Sequence, residues 1–269
     1  MKKITIVTLF FALFAAVGFS QPETDAQPCA ATPTVKDIDG NVYNTVQIGT
    51  QCWMKENLKT TKYADGTLIS LGKQHSGERE GAMFRYYPGN KESNVSIYGY
   101  LYNWYAVVRN NPDKAHLTSP LQGVCPTGWH VPIQAEYDTL AAYLSNYPKY
   151  VCNSPDAFKV TGMTSYDITK ALASTKLWQA HEEKCTPGYQ LSTNNSSGFS
   201  ALPAGGYEYW EEVPYSDGGI GINCSFWCRD EDPDSGTGYV FGFNNMNQDM
   251  WLGTSNEKAN GCSVRCLKD

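Results

Sequence analysis

The sequence predicts an α+β fold built from short antiparallel strands, two helices and long loops, stapled by disulfides. Three observations carry this. From Gln190 onward, Gly, Pro, Asn and Asp recur every few residues between short aromatic runs, which is the texture of short strands joined by loops. Only two segments, both in the middle of the chain, repeat apolar residues at helical spacing. All nine cysteines lie beyond an export signal, and oxidising compartments let disulfides persist. Helices in the middle with strands on either side make the class α+β.

The elements follow in chain order. Lys2 and Lys3 precede an uncharged apolar run, 4–19, and Gly18 and Ser20 stand three and one places before Gln21. This is the pattern of a cleaved signal peptide over residues 1–20. Residues 21–34 are polar and proline-containing, and read as a flexible leader. The folded domain is then expected over 35–269. From Asp37 an Asp-Gly turn is followed by alternation of Val42, Asn44, Val46 and Ile48 against Tyr43, Thr45 and Gln47, which is hairpin chemistry. Asp65-Gly66 marks a second turn, 72–97 reads as mostly loop, and the aromatic block 98–108 must be largely buried.

One helix is clear. After Pro132, the residues Ile133, Tyr137, Leu140, Ala141 and Leu144 fall on one face, and Pro148 ends the segment. A weaker helix is expected over 167–178, with Asp167 as its cap and Ile168, Ala171, Leu172 and Thr175 on one side. No repeat occurs at solenoid or propeller periods.

Charge narrows the partners. The 269 residues hold 21 basic and 27 acidic side chains. Loss of Lys2 and Lys3 with the signal leaves 19 basic against 27 acidic, a charge of −8. That balance argues against nucleic acid, which a basic patch would meet. No later stretch reaches the eighteen or so apolar residues of a membrane span, and Cys29 lacks the small-residue context of a lipid-anchored cysteine.

Five ordered segments carry a family resemblance: IDGNVYNTVQIGTQCWMKENLKTTKYADGT, YGYLYNWYAV, CPTGWHVPIQAEYDTL, SSGFSALPAGGY and CSVRCLKD. Together they resemble the Fibrobacter succinogenes major paralogous domain over 35–269. Gly128 to Pro132 with Ala135-Glu136-Tyr137, and Ser263 to Cys266, are more distantly similar to the C-type lectin-like fold of formylglycine-generating enzymes. The resemblance implies an exported bacterial protein, few regular elements, and amino and carboxyl ends near each other. It implies that Trp53, Trp104 and Trp129 are core. Its motifs make Cys125 and Cys266 framework residues, and a bond between them would tie the helix entry to the last strand. Cys152 with Cys185 is a second expected pair, and Cys29, in the loose leader, is the natural odd cysteine.

Several constellations bear chemistry. Cys224 and Cys228 invite comparison with the copper-binding cysteines of formylglycine-generating enzymes, against which stands pairing in a disulfide. His181-Glu182-Glu183-Lys184-Cys185 resembles half of a zinc protease motif, with cysteine in place of the second histidine. Asp230, Asp232 and Asp234 alternate before Ser235-Gly236 and offer oxygens to calcium, or form a solvated acidic loop. Tyr207, Tyr209 and Trp210, interleaved with acids and close in sequence to Trp227, suit stacking on sugar rings.

No set of catalytic residues is recognisable. The expectation is a non-catalytic binding or adhesion module at the cell surface, in the periplasm or outside the cell, with a glycan, polysaccharide or surface protein as partner. No cofactor is expected unless calcium. A structural component of a surface assembly is the alternative, and a copper-dependent oxidase stands behind both.

Overall fold

A computed structural model describes residues 26–73, 81–110, 120–152, 167–208 and 218–269. The expected signal peptide and residues 21–25 of the leader lie outside them. The architecture is a mixed α+β fold of mostly antiparallel short strands with few helices and three disulfides.

The first sheet joins both ends of the domain. Strands β1 (Thr34–Lys36), β2 (Val42–Ile48) and β3 (Gln51–Met54) form an antiparallel meander. The last strand, β11 (Leu267–Lys268), then inserts between β3 and β7 (Trp129–His130), pairing Leu267 with Trp53 and with His130. The Asp-Gly turn forms as expected, with Gly40 at φ +88°, where a Cβ is unfavourable. Asp37 locks it by accepting from Asn41 N at 2.9 Å and Tyr43 OH at 2.6 Å.

Alternation along β2 holds only in part. Tyr43 and Thr45 are buried on one face and Val46 and Ile48 on the other, while Val42 at the hairpin end is exposed. Both faces of this strand are covered because the chain before β1 packs over it. Gln47 N donates to Gln27 O at 2.8 Å and Cys29 N to Thr45 Oγ1 at 3.1 Å. Residues 26–34 are therefore docked rather than loose. Cys29, expected as the odd cysteine, is buried and bonded to Cys52.

A second sheet, ordered β10 (Trp251–Asn256), β9 (Gly238–Asn244) and β8 (Asn223–Glu231), is antiparallel throughout. A third joins β4 (Ser70–Leu71), β5 (Phe84–Tyr86) and β6 (Leu101–Tyr102), with β4 and β5 parallel. Two short helices, α1 (Val95–Tyr98) and α2 (Trp104–Val108), flank β6. The 98–108 block is buried as expected, Leu101, Tyr102 and Trp104 completely.

The principal helix, α3 (Gln134–Ser145), follows Pro132 as predicted and buries Tyr137, Leu140, Ala141 and Leu144. Two carboxylates satisfy its first N–H groups, Glu136 accepting from Ile133 N and Asp230 from Gln134 N, where the helix end favours negative charge. Tyr137 stacks on Phe241 with ring centroids 4.5 Å apart and tilts against Trp53 at 5.0 Å. Burial of each large apolar side chain on this face contributes roughly 1.5–3 kcal/mol, so Leu140→Ala should cost about 2–5 kcal/mol.

The second expected helix is shorter than its pattern. Only α4 (Thr169–Leu172) forms. Ile168, Ala171 and Leu172 are buried, but Thr175 is exposed. Ala173 pairs instead with Ala201, and Ser174 N donates to Ala201 O at 2.8 Å. That bond draws the backbone out of the helix. Asp167 has φ +49° and provides no cap.

Two of the expected cysteine pairs form, Cys125–Cys266 and Cys152–Cys185. Cys224 and Cys228 do not pair: both thiols are free and buried, as is Cys262. The reason is strand geometry. The two lie four residues apart along β8 with Phe226 between them on the same buried face, and a rise of about 3.3 Å per residue separates them by roughly 13 Å. The same distance prevents them from gripping one copper ion. Burial also pushes both thiols above their usual pKa, away from the thiolate a soft metal needs. Three disulfides are consistent with an extracytoplasmic protein. Among the described residues no helix is long and apolar enough to cross a membrane.

Candidate functional site

Tyr207 organises a cavity among the described residues. Its backbone is fixed by a two-way bridge to Gly261, Tyr207 N donating to Gly261 O at 2.9 Å and Gly261 N to Tyr207 O at 2.7 Å. Its ring lies flat on Tyr86, with centroids 3.9 Å apart and planes 11° from parallel. Tyr86 is itself 2% exposed, so Tyr207 has a rigid apolar backing and keeps its other face outward. The close bridge depends on glycine. A Cβ on Gly261 would stand 2.9 Å from both Tyr86 Cδ2 and Tyr207 Cβ.

Around this ring the chain forms a cavity of about 720 Å³. Its aromatic walls are Tyr87, Tyr207 and Trp251. Trp251 lies across Gly242 of β9, where a Cβ would come within 2.5 Å of the indole nitrogen. The polar lining is largely neutral: Asn90, Asn223, Asn256, Asn260 and Ser225. Asn260 Nδ2 donates to Asn256 Oδ1 at 2.8 Å, and Asn256 Nδ2 donates in turn to Cys262 Sγ at 3.2 Å. The described lining carries one carboxylate, Glu208, and no histidine, lysine or arginine.

Cys262 also lines the cavity. Burial pushes its thiol up to about 12, against the opposing hydrogen bond from Asn256. The raised pKa favours the neutral thiol over the thiolate at this wall. A cavity with flat aromatic faces and amide donors and acceptors fits a ligand that is neutral, ring-shaped and rich in hydroxyls.

The sequence candidates separate on this geometry. Tyr207 belongs to the cavity, and Tyr209 and Trp210 lie outside the described residues. Trp227 does not: it is completely buried and its indole N–H donates to Tyr102 O at 2.6 Å, so it is a core residue of β8. Trp53, Trp104 and Trp129 are core as well.

The alternating aspartates do not converge. Asp230 caps α3 through Gln134 N, and burial raises its pKa despite that bond. Asp232 accepts from Ser235 Oγ at 2.8 Å, Asp234 N at 3.0 Å and Ser255 Oγ at 2.9 Å, and these bonds lower its pKa, that from Ser235 most. The carboxylates of Asp230 and Asp232 are thus occupied with separate local bonds, and Asp234 enters this loop through its backbone N–H to Asp232. Among the described residues no three His, Cys, Asp or Glu side chains group as metal ligands. His181 accepts from Glu183 N at 3.3 Å, within its own loop.

Tyr87, Trp251 and the four asparagines escaped the sequence reading. Their segments lie near positions 90, 223 and 256, and only the fold joins them. A weak local signal existed at Trp251, an aromatic beginning an otherwise half-exposed strand.

The family model of the Fibrobacter succinogenes major domain matches residues 46–268. No curated protein and no solved structure matches the chain. The matched region runs from within β2 to the last strand and includes every wall of the cavity, so the chain belongs to the Fibrobacter succinogenes major domain family.

Proposed function

We propose that this protein is an exported, non-catalytic binding or adhesion module whose cavity takes a glycan or polysaccharide chain. The observation that carries this is the joining of Tyr207, backed by Tyr86, with Trp251 and four asparagines around one cavity of about 720 Å³. Aromatic faces stack on the apolar faces of sugar rings, and amides both donate to and accept from hydroxyls. A lectin-like fold agrees with the loop-rich α+β architecture and with the two ends meeting in one sheet. The signal-like amino terminus and the three disulfides support a place in the periplasm, on the outer surface or outside the cell. Assembly through a surface cysteine has less support, because Cys29 is bonded and the three free thiols are buried.

The test is binding of the purified protein to a panel of glycans and insoluble polysaccharides, alongside Tyr207→Ala and Trp251→Ala. Each substitution is expected to weaken binding roughly tenfold or more, the equivalent of about 1.4 kcal/mol. Binding that survives both changes would place the site elsewhere. Failure to bind anything on a broad panel would turn the reading towards a protein partner.

A further inference from the structure

The loop 245–250, which joins β9 to β10, gathers buried oxygens without donors. Asn245, Gln248 and Asp249 are 3%, 5% and 5% exposed. Asn245 Oδ1, Gln248 Oε1 and Asp249 Oδ1 are all buried with no hydrogen-bond partner. Amide flips do not remove the problem. Asn245 Nδ2 donates to Gln179 O and Gln248 Nε2 to Lys184 O, each at 3.1 Å, and turning either amide over would set oxygen against oxygen. The nitrogens are thus committed to the 179–188 segment, and the oxygens face elsewhere.

Each buried acceptor left unpaired is destabilising, and a carboxylate more so. Three in five residues is a concentration that a folded chain resolves with a ligand. A single water brings two hydrogens to three acceptors. A hard cation serves them all, since it takes oxygen lone pairs and requires no donor.

We propose that Asn245 Oδ1, Gln248 Oε1 and Asp249 Oδ1 are ligands of a bound calcium ion that fixes the 245–250 loop. The surroundings suit a rigid site. Gly188 N donates to Asn245 O at 3.0 Å, Asn245 N to Ile222 O at 2.9 Å, and the Cys152–Cys185 bond ties the neighbouring segment to the end of the helical region. All three ligands are oxygens, which excludes the soft metals. One carboxylate and two neutral amides form an irregular set that calcium accommodates, whereas magnesium holds its waters and demands a regular octahedron. Two of the three ligands are amides, so the site has no acidic cluster to announce it. It is also separate from Asp230 and Asp232, whose oxygens have donors of their own.

The experiment compares melting of the purified protein in chelator and in calcium, and follows terbium as a luminescent calcium substitute. Trp251, two residues beyond Asp249, can sensitise a lanthanide held there. Calcium at a hundredfold excess over its Kd is expected to raise the melting temperature by about 5–10 °C. Sensitised terbium emission should appear and be displaced by calcium but not by equal magnesium. Asp249→Asn should abolish both responses and Asp232→Asn neither. Should the Asp249 variant fail to fold, the terbium competition on the unaltered protein decides alone. Equal melting in chelator and calcium without terbium emission would overturn the site and leave water as the partner of these oxygens. Responses lost in Asp232→Asn and kept in Asp249→Asn would overturn it by moving the ion to the acidic loop.

Discussion

Arg265 Nε donates to Asn57 Oδ1 at 2.9 Å across 208 residues of sequence, at a point where neither side chain reaches solvent appreciably. The same guanidinium donates to the carbonyls of Met54, Phe199 and Ser200. It also lies over the rings of Phe199 and Phe226, 4.7 and 5.4 Å from their centroids. Each of these acceptors is neutral. Burial pulls its pKa down to about 10, which still leaves it charged at neutral pH.

Arg265 is therefore a fork that satisfies acceptors in two separate chain segments, 54–57 and 199–200. Arg265→Ala would strand those carbonyls and open a cavity, and is expected to cost about 3–5 kcal/mol. Arg265→Lys should recover only part, because one ammonium cannot copy the planar fork. Urea denaturation of the three proteins gives the ordering.

His130 makes stability depend on pH. Its Nδ1 lies 2.8 Å from Asp269 Oδ1 and its Nε2 lies 2.9 Å from Glu136 Oε1. Burial opposes protonation, but the two carboxylates prevail and the pKa stands above the ordinary 6.5. A histidine raised in this way contributes stability that is complete below the unfolded pKa and is lost as pH rises through the folded one. Stability of the unaltered protein should fall across that window, while His130→Gln should show a flatter profile. Denaturation at stepped pH checks this, and the imidazole titration by NMR should place the midpoint above 6.5.

What the sequence made legible was local. The α3 face could be read because twelve residues repeat one spacing, and the Asp-Gly turn because glycine alone suits its backbone. The segment 167–178 had a helical pattern too, but Ala201 competes for Ser174 N and composition cannot reveal a partner 27 residues away. Cys29 lay in a polar stretch that reads as loose, and one bond to Cys52 makes it core. Tyr207 was legible as an aromatic beside glycines. The cavity was not, since Tyr87, Asn223, Trp251 and Asn260 meet only after three sheets have formed.

The thiol inventory follows from the bonding. Cys224, Cys228 and Cys262 are free and buried, so a thiol reagent should find no fast-reacting group in the native protein and three after denaturation without reductant. Loop length orders the three bonds. Cys125–Cys266 spans 141 residues and Cys29–Cys52 spans 23, for which chain entropy gives about 5 and about 3.5 kcal/mol. Replacing each pair with serine should therefore lower the urea midpoint most for Cys125–Cys266.

Gly261 links fold to site. Any side chain there meets Tyr86 and Tyr207 at 2.9 Å and Leu101 Cβ at 3.2 Å. These three atoms belong to the stack and its floor, so Gly261→Ala must separate Tyr207 from Tyr86 or push the 261 bridge outward. Overpacking of this kind costs about 1–3 kcal/mol, which the protein should survive. Binding should suffer more than folding, because a displaced Tyr207 loses the backing that holds its face towards the cavity. The expected result is a folded variant, judged by an unchanged circular dichroism spectrum, with glycan affinity reduced roughly tenfold. A control on the same bridge separates the two effects. Tyr207→Phe keeps the ring and the stack and loses only the hydroxyl that donates to Lys73 O at 3.1 Å, so it should bind nearly as the unaltered protein does.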